Sequence, residues 1–411
     1  MNIAVAQSGG PTCAINASLL GVVKEAKNHK EIENVYGSIN GIEGIINDQV
    51  VELKSQVVTE EDMDILRQTP STVLGSCRFK LPDINDNKEI YETIKDRFLK
   101  YDIKAFFYIG GNDSMDTANK LSKYFKSENI DIRVIGVPKT VDNDLCETDH
   151  TPGFGSAAKY VAATLQEITR DSYVYGVPSV TVVEIMGRHA GWLAASTVLL
   201  HKNGETSPHL IYLPESKFSL EQFFNDVKEQ LKIHKSVIVV ISEGVDLSDA
   251  GADYMSGKVD NFGHKYLSGA GKYLENQISE KIGVKVRSVE LNVMQRSASH
   301  IASKTDIDES EQIGVEALKA ALNGESGKMM AFIRTSNNPY KVEIKPVEAN
   351  LVANNEKKFP IEWINEKGNN IKEEAIDYFL PLIMGERKIV TKNGMPVHFK
   401  VFNPQESLYN K

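Results

Sequence analysis

Two carboxylates one residue apart, Asp142 and Asp144, stand beside a lysine and a threonine in the stretch Pro138-Lys139-Thr140-Val141-Asp142-Asn143-Asp144. That set suits phosphoryl transfer. One carboxylate can take the proton of an attacking hydroxyl and the other can hold Mg²⁺. The same stretch also reads as an Asx-rich turn, because Asn and Asp readily build turns. Two glycine pairs add to the picture. Ser8-Gly9-Gly10 lets backbone N–H groups approach an anion at the start of a helix, or simply makes a tight turn. Gly110-Gly111-Asn112-Asp113-Ser114 offers a second such cradle, with a carboxylate at the helix start. Asp and Ser are also good helix caps, but a cap does not need the preceding glycines.

Further candidates are weaker one by one. In Gly75-Ser76-Cys77-Arg78 the guanidinium can fork onto phosphate oxygens, although the segment alone reads as a surface turn. Met186-Gly187-Arg188, Glu243-Gly244, Arg287 and Gln295-Arg296 are polar groups at or beyond strand ends. They are consistent with a sugar-phosphate pocket, while each by itself reads as a surface charge.

These residues need elements to hold them. Short β-branched runs predict strands at Asn2–Gln7, Lys104–Ile109, Ile132–Val137, Ser179–Ile185, His209–Leu213, Val237–Ser242 and Lys285–Leu291. Amphipathic stretches predict helices at Ala14–Lys27, Lys88–Lys100, Ser114–Lys126, Gly155–Arg170, Leu220–Leu231, Tyr266–Lys281 and Gln312–Leu322. Strand-then-helix repetition points to α/β units with mainly parallel sheets, in which ligands bind at the strand ends. Asp246–Gly263 reads as a surface loop. Beyond Gly324 the character changes to an alternating stretch, Tyr340–Val347, then a polar region with a helix at Glu373–Leu380. This extension is expected to pack on the second domain.

The 411 residues suggest two to three domains, and 41% hydrophobic with 25% charged residues is ordinary for a globular protein. A formal net charge of -9 argues against a nucleic-acid or anionic-membrane partner, without excluding a local basic pocket. Three scattered cysteines, Cys13, Cys77 and Cys146, fit a reducing cytosol better than a disulfide framework. The N-terminal apolar run is too short for a signal peptide, and no run approaches the length of a membrane span. A soluble, cytoplasmic enzyme is the expectation.

In this order and spacing, the motifs over roughly residues 1–325 resemble the 6-phosphofructokinase family, GGNDS paired with PKTVDND being the most specific. The resemblance implies two Rossmann-like, three-layer domains with the active site in the cleft between them. Residues 1–150, completed by about 295–325, would bind the phosphoryl donor; 151–294 would bind fructose 6-phosphate; 326–411 would form the extension. Asp142 would be the general base toward the sugar's C1 hydroxyl. Thr140, Val141 and Asp144 would help place substrate and metal. Gly9, Gly10, Arg78, Gly111 and Ser114 would hold the donor. Met186, Gly187, Arg188 and Glu243 would line the sugar site. Arg287 and Arg296 would hold the 6-phosphate, with Arg287 entering from a neighbouring subunit of a homodimer or homotetramer. Mg²⁺ is the implied cofactor, held by Asp113, Asp144 and, through an uncharged amide oxygen, Asn112.

Two positions bear on the donor. ATP-dependent members carry glycine at the positions of Asp113 and Lys139, and the Asp-plus-Lys combination resembles the pyrophosphate-dependent branch. An Asp113 carboxylate in the space of the ATP α-phosphate would repel it by about 4 kcal/mol at ~4 Å and an effective dielectric of ~20. Lys139 would neutralise a small, dense pyrophosphate. The alternatives are an ATP-dependent 6-phosphofructokinase and a non-catalytic regulatory subunit. The second is opposed by Asp142, Asp144 and Arg78, and a lipid or dinucleotide kinase by the sugar-site motifs. Three departures from the family pattern stand out: Asn112 in place of a metal-binding aspartate, Ser179 in place of an intersubunit arginine, and Val293 in place of a polar residue.

Overall fold

The computed structural model describes residues 1–248 and 269–401 of the chain. Most of the loop expected at Asp246–Gly263, and residues 266–268 of the helix expected at Tyr266–Lys281, lie outside the described residues; that helix is present as Ala270–Lys281. Two sheets carry the fold. In chain order the strands of these two sheets are β1 (Asn2–Gln7), β2 (Val35–Ser38), β3 (Val50–Glu52), β4 (Ile103–Gly110), β5 (Arg133–Pro138), β6 (Ser179–Ile185), β7 (Leu210–Tyr212), β8 (Ser236–Ser242), β9 (Lys285–Glu290), β10 (Lys328–Asn337) and β11 (Tyr340–Glu348).

The larger sheet has the order β11-β10-β5-β4-β1-β2-β3. Its centre is parallel, and β3 and β11 are antiparallel additions at its two edges. β1 is buried along its whole length, as a strand covered on both faces must be. Ile3 and Val5 face a core shared with the helices Ile15–Lys27 and Lys304–Leu322, while Ala4 and Ala6 face the helices Lys88–Lys100 and Asn112–Ser127. The second sheet, β7-β8-β6-β9, is parallel throughout. The helix Phe154–Ser172 covers one of its faces, and Leu220–Ile233 with Ala270–Lys281 the other. These helices sit where the amphipathic pattern put them. Among the described residues, no helix is long and apolar enough to cross a membrane.

Three features depart from expectation. The alternating stretch at 340–347 is β11, and through β10 it extends the first sheet beside β5, not the second domain. The stretch around Phe359–Ile383 packs into the core shared with Phe154 and Trp192, with Tyr340 at the start of β11 against it. The helix expected at Glu373–Leu380 is broken into short 3₁₀ and α turns ending at Ile383, where Pro381 lacks the N–H a longer helix needs. The helix Glu60–Gln68 was not anticipated, although Thr59 and Asp62 form a capping box that marks its start.

The helix Lys304–Leu322 links the two sheets. Its backbone crosses Ile15–Lys27 so closely that a Cβ on Gly21 would lie 2.0 Å from Glu311 O, and one on Gly314 would lie 2.1 Å from Ser18 O. At its N-terminal end Asp306 accepts hydrogen bonds from the backbone N–H groups of Gly153 (2.9 Å) and Ser156 (3.0 Å). It thereby caps Phe154–Ser172, which has no side-chain cap of its own. We expect Gly21→Ala to destabilise the protein by about 3 kcal/mol, the upper range for overpacking, in denaturant unfolding. Gly176→Ala, with nothing within 4 Å of the added carbon, should stay within about 0.5 kcal/mol of the parent.

Candidate active site

The C-terminal ends of β1, β4 and β5 open together onto a cleft of about 650 Å³, closed on the far side by the turns after β6 and β8. The two glycine turns at its base are packed against each other. Ser8 Oγ and Ser114 Oγ are 2.5 Å apart, and a Cβ on Gly110 would strike both hydroxyls, at 2.7 and 1.9 Å. Gly9 has φ +76°, a conformation open to glycine, and its carbonyl accepts a hydrogen bond from Ser76 Oγ at 2.7 Å. This contact brings the Gly75–Arg78 turn to the cleft wall.

Lys139 is the electrostatic centre. Only 2% exposed, it donates from Nζ to Gly10 O at 2.6 Å. Burial lowers its pKa to about 8, with Asp142 and Asp144 pulling upward and Arg296 pushing down. A Cβ on Gly9 would lie 3.3 Å from Lys139 Nζ and one on Gly10 3.2 Å from Arg296 Nη1, so the glycine pair is what lets the two cations approach the backbone. Asp142 is held in its turn by its N–H, which donates to Thr140 Oγ1 at 3.1 Å. Burial raises the Asp142 carboxyl above its ordinary range, while Lys139, Arg188 and Arg296 draw it back. Asp144 is pushed up to about 7, first by burial and then by Asp142.

Across the cleft, the Met186–Arg188 and Glu243–Gly244 turns lock together. Ser242 Oγ donates to Gly187 O at 2.6 Å, Gly187 has φ +138°, and a Cβ on Gly244 would lie 1.9 Å from Arg188 O. Glu243 is pushed up to about 7, chiefly by burial and then by Asp142. Two buried polar atoms of the cleft lining have no partner: Asn112 Oδ1 and Arg188 Nε. Orphaned groups at a cleft are what a polar ligand would satisfy. Five basic side chains (Arg78, Lys80, Lys139, Arg188, Arg296) face five acidic ones (Asp113, Asp142, Asp144, Glu243, Glu356).

Gly9, Gly10, Arg78, Gly111, Asn112, Asp113, Ser114, Lys139, Thr140, Val141, Asp142, Asp144, Met186, Arg188, Glu243 and Arg296 all line the cleft, with Gly187 directly behind Glu243. Arg287 does not reach it. It lies on β9, the outer strand of the second sheet, paired with Asp171 at 3.0 Å. Asp113 is not Lys139's partner: its carboxylate is 45% exposed and faces Lys80 at 3.9 Å, because the first helical turn points it to the mouth of the cleft. Among the described residues no group of three His, Cys, Asp or Glu side chains is placed to hold a metal. Sequence reasoning missed Lys80, Tyr108, His189 and the stretch Asn354–Glu356, which also line the cleft. Lys80, two residues beyond Arg78, was within reach of the motif; Asn354–Glu356, far along the chain, carries no local signal.

A cleft of basic and acidic side chains at the ends of parallel strands, with glycine turns at its base, suits an α/β phosphotransferase. The model of the phosphofructokinase family matches residues 2–321, and the chain belongs to that family. It is 39% identical over 398 residues (96% of this chain, 94% of the relative) to the pyrophosphate--fructose 6-phosphate 1-phosphotransferase of Halomonas elongata. A crystal structure of a pyrophosphate-dependent phosphofructokinase from Marinobacter aquaeolei superposes with TM-score 0.86 at 36% identity, covering 98% of this chain and 96% of that one. A protein named sulfofructose kinase, from Alkalicoccus urumqiensis, is 32% identical over 369 residues, 89% of this chain and 93% of its own.

The raised carboxyls have a consequence for ligand-free protein. A folded-state pKa above the unfolded value contributes stability that is complete at acid pH and is lost as pH rises through the folded value. For Glu243 that loss falls between the ordinary carboxylate range and about 7. Thermal melting of wild type should therefore show a decline from about pH 5 to pH 8 that is shallower in Glu243→Gln. Parallel curves would mean that Glu243 is ionised at no cost.

Proposed function

We propose that this chain transfers a phosphoryl group reversibly from pyrophosphate to the C1 hydroxyl of fructose 6-phosphate, giving fructose 1,6-bisphosphate and phosphate as a step of glycolysis. The observation that carries the reading is the buried Lys139 ammonium on Gly10 O, with Asp142 and Asp144 beside it where the two glycine turns meet at the base of the cleft. The near-full-length relatives support it.

In this reading Asp142 accepts the C1 hydroxyl proton as the sugar oxygen bonds to phosphorus and the bridging P–O bond breaks. Lys139, with the backbone N–H groups of the two glycine turns, faces the transferring group and the departing phosphate. Arg78 and Ser114 hold the donor. Thr140, Val141, Met186, Gly187, Arg188 and Glu243 orient the sugar, and Arg296 holds its phosphate. Arg287, out of reach of its own cleft, would serve a neighbouring copy of the chain in a homodimer or homotetramer. Asp113 at the mouth opposes an ATP α-phosphate, with Lys80 as its local counter-charge.

The cleft's basic and acidic side chains balance, so two phosphorylated ligands bring uncompensated negative charge. Mg²⁺ fits that need. Asp144, Asp113 and the unpartnered Asn112 Oδ1 would hold it together with phosphate oxygens, the usual manner for this ion. When bound, it would neutralise charge on the transferring group.

Purified protein given fructose 6-phosphate and Mg²⁺ should turn over with pyrophosphate, and ATP should be poorer by orders of magnitude. Comparable kcat/KM for the two donors would sink the donor assignment. Sulfofructose as acceptor is the second reading, on the strength of the relative so named, and belongs in the same assay. Asp142→Ala should lower kcat by roughly 10²–10⁴-fold with sugar binding largely intact, as for loss of a general base. Near-full kcat would move that role elsewhere. Asp113→Gly should raise the ATP-to-pyrophosphate ratio of kcat/KM, and an unchanged ratio would place ATP exclusion outside this residue.

A further inference from the structure

The loop that carries Asp142 and Asp144 is gripped from a distance of more than two hundred residues. Lys357 N–H donates to Asp144 O at 2.7 Å. The same residue's ammonium turns inward and donates to Thr148 O at 3.0 Å and Asp149 O at 2.7 Å, with Asn143 Oδ1 at 3.5 Å. It sits 5.0 Å from the centroid of the Trp192 ring. Asn143, between the two acids, has φ +55°, and its Nδ2 donates to Tyr378 OH at 2.8 Å; that hydroxyl donates in turn to Asp149 O at 2.6 Å. Just before Lys357, Asn355 O accepts from Asn112 Nδ2 at 2.9 Å, which ties the same segment to the donor turn.

Asparagine tolerates the left-handed region better than most residues, so the backbone at Asn143 does not by itself fix the turn. What fixes it here are the contacts that Lys357 and Tyr378 make on Asn143 and its neighbours. We propose that Lys357 is a positioning residue for the phosphoryl transfer: by fixing both ends of the Asn143–Asp149 turn it sets where the Asp142 and Asp144 carboxylates stand relative to the donor cradle. The inference rests on the function proposed above. Burial lowers the Lys357 pKa to about 8, with Asp149 and Asp144 opposing, as expected of an ammonium enclosed by this loop.

Displacing reacting groups by about 1 Å can cost on the order of 10²-fold in rate without changing what binds. The test compares wild type, Lys357→Met and Tyr378→Phe with whichever donor the wild type turns over, at matched folded fraction by calorimetry. Lys357→Met should lose about 10²-fold in kcat while KM for both substrates stays within about threefold. Tyr378→Phe, which removes one hydroxyl from a packed ring, should show the same split at about 10-fold. A folded Lys357→Met with kcat within threefold of wild type, or with the loss in KM, overturns the inference. If Lys357→Met does not fold, an undiminished kcat in Tyr378→Phe overturns it. A wild type that uses ATP and not pyrophosphate overturns the donor reading alone, and a wild type that phosphorylates no sugar overturns both.

Discussion

A lysine ammonium with almost no exposed surface has to find its hydrogen-bond acceptors and counter-charges inside the protein, and Lys139 dictates much of what surrounds it. Its ammonium donates to a backbone carbonyl, Gly10 O, which it reaches past Gly9, where a Cβ would lie 3.3 Å from Nζ. Its counter-charges are Asp142 and Asp144. Those carboxylates are in turn raised by burial, so the cleft stores a set of charges each of which depends on the others. A buried charge network of this kind is a weak source of stability and a strong source of geometry.

The floor of the cleft is also a seam. The stretch from Lys139 to Thr151 leaves β5, the last of the first sheet's central strands, and runs to Phe154–Ser172, which covers the second sheet. Irregular backbone at such a place needs partners from outside. They come from the chain after residue 300. Asp306 caps the helix, and Arg334 donates to Asp149 Oδ1 at 2.8 and 3.0 Å. His150 sits between Asp149 and Glu309, 2.8 Å from each, and stacks on Phe332 at 4.5 Å. Lys357 and Tyr378 complete the set. The C-terminal extension is therefore structural support for the loop that bears the acids, which explains why it spans both sheets and does not attach to one.

Much of this was legible in the sequence. The bounds of β1 and β6 coincide with their expected ranges because short apolar runs rich in Val and Ile, each ending at a glycine-containing turn, leave little choice. The motif residues at 8–10, 110–114 and 138–144 were legible as one group because parallel strands deliver their C-terminal ends to a common edge. Short elements such as β2 and β3, with four and three residues, fall below the length at which periodicity can speak.

Side-chain type and spacing determined which groups are available for chemistry and which glycine turns could bring backbone N–H groups to an anion. Tertiary structure alone decided how those groups face one another. It turned Asp113 toward Lys80 and left Lys139 to Asp142 and Asp144, because a helix start and a strand end point their side chains along different axes. It kept Arg287 on an outer strand, away from its own cleft. It brought Asn354–Lys357 to the acids from the far end of the chain. Contacts between residues more than two hundred positions apart leave no trace in local periodicity, since they are set by how the sheets pack and not by any segment's own preference.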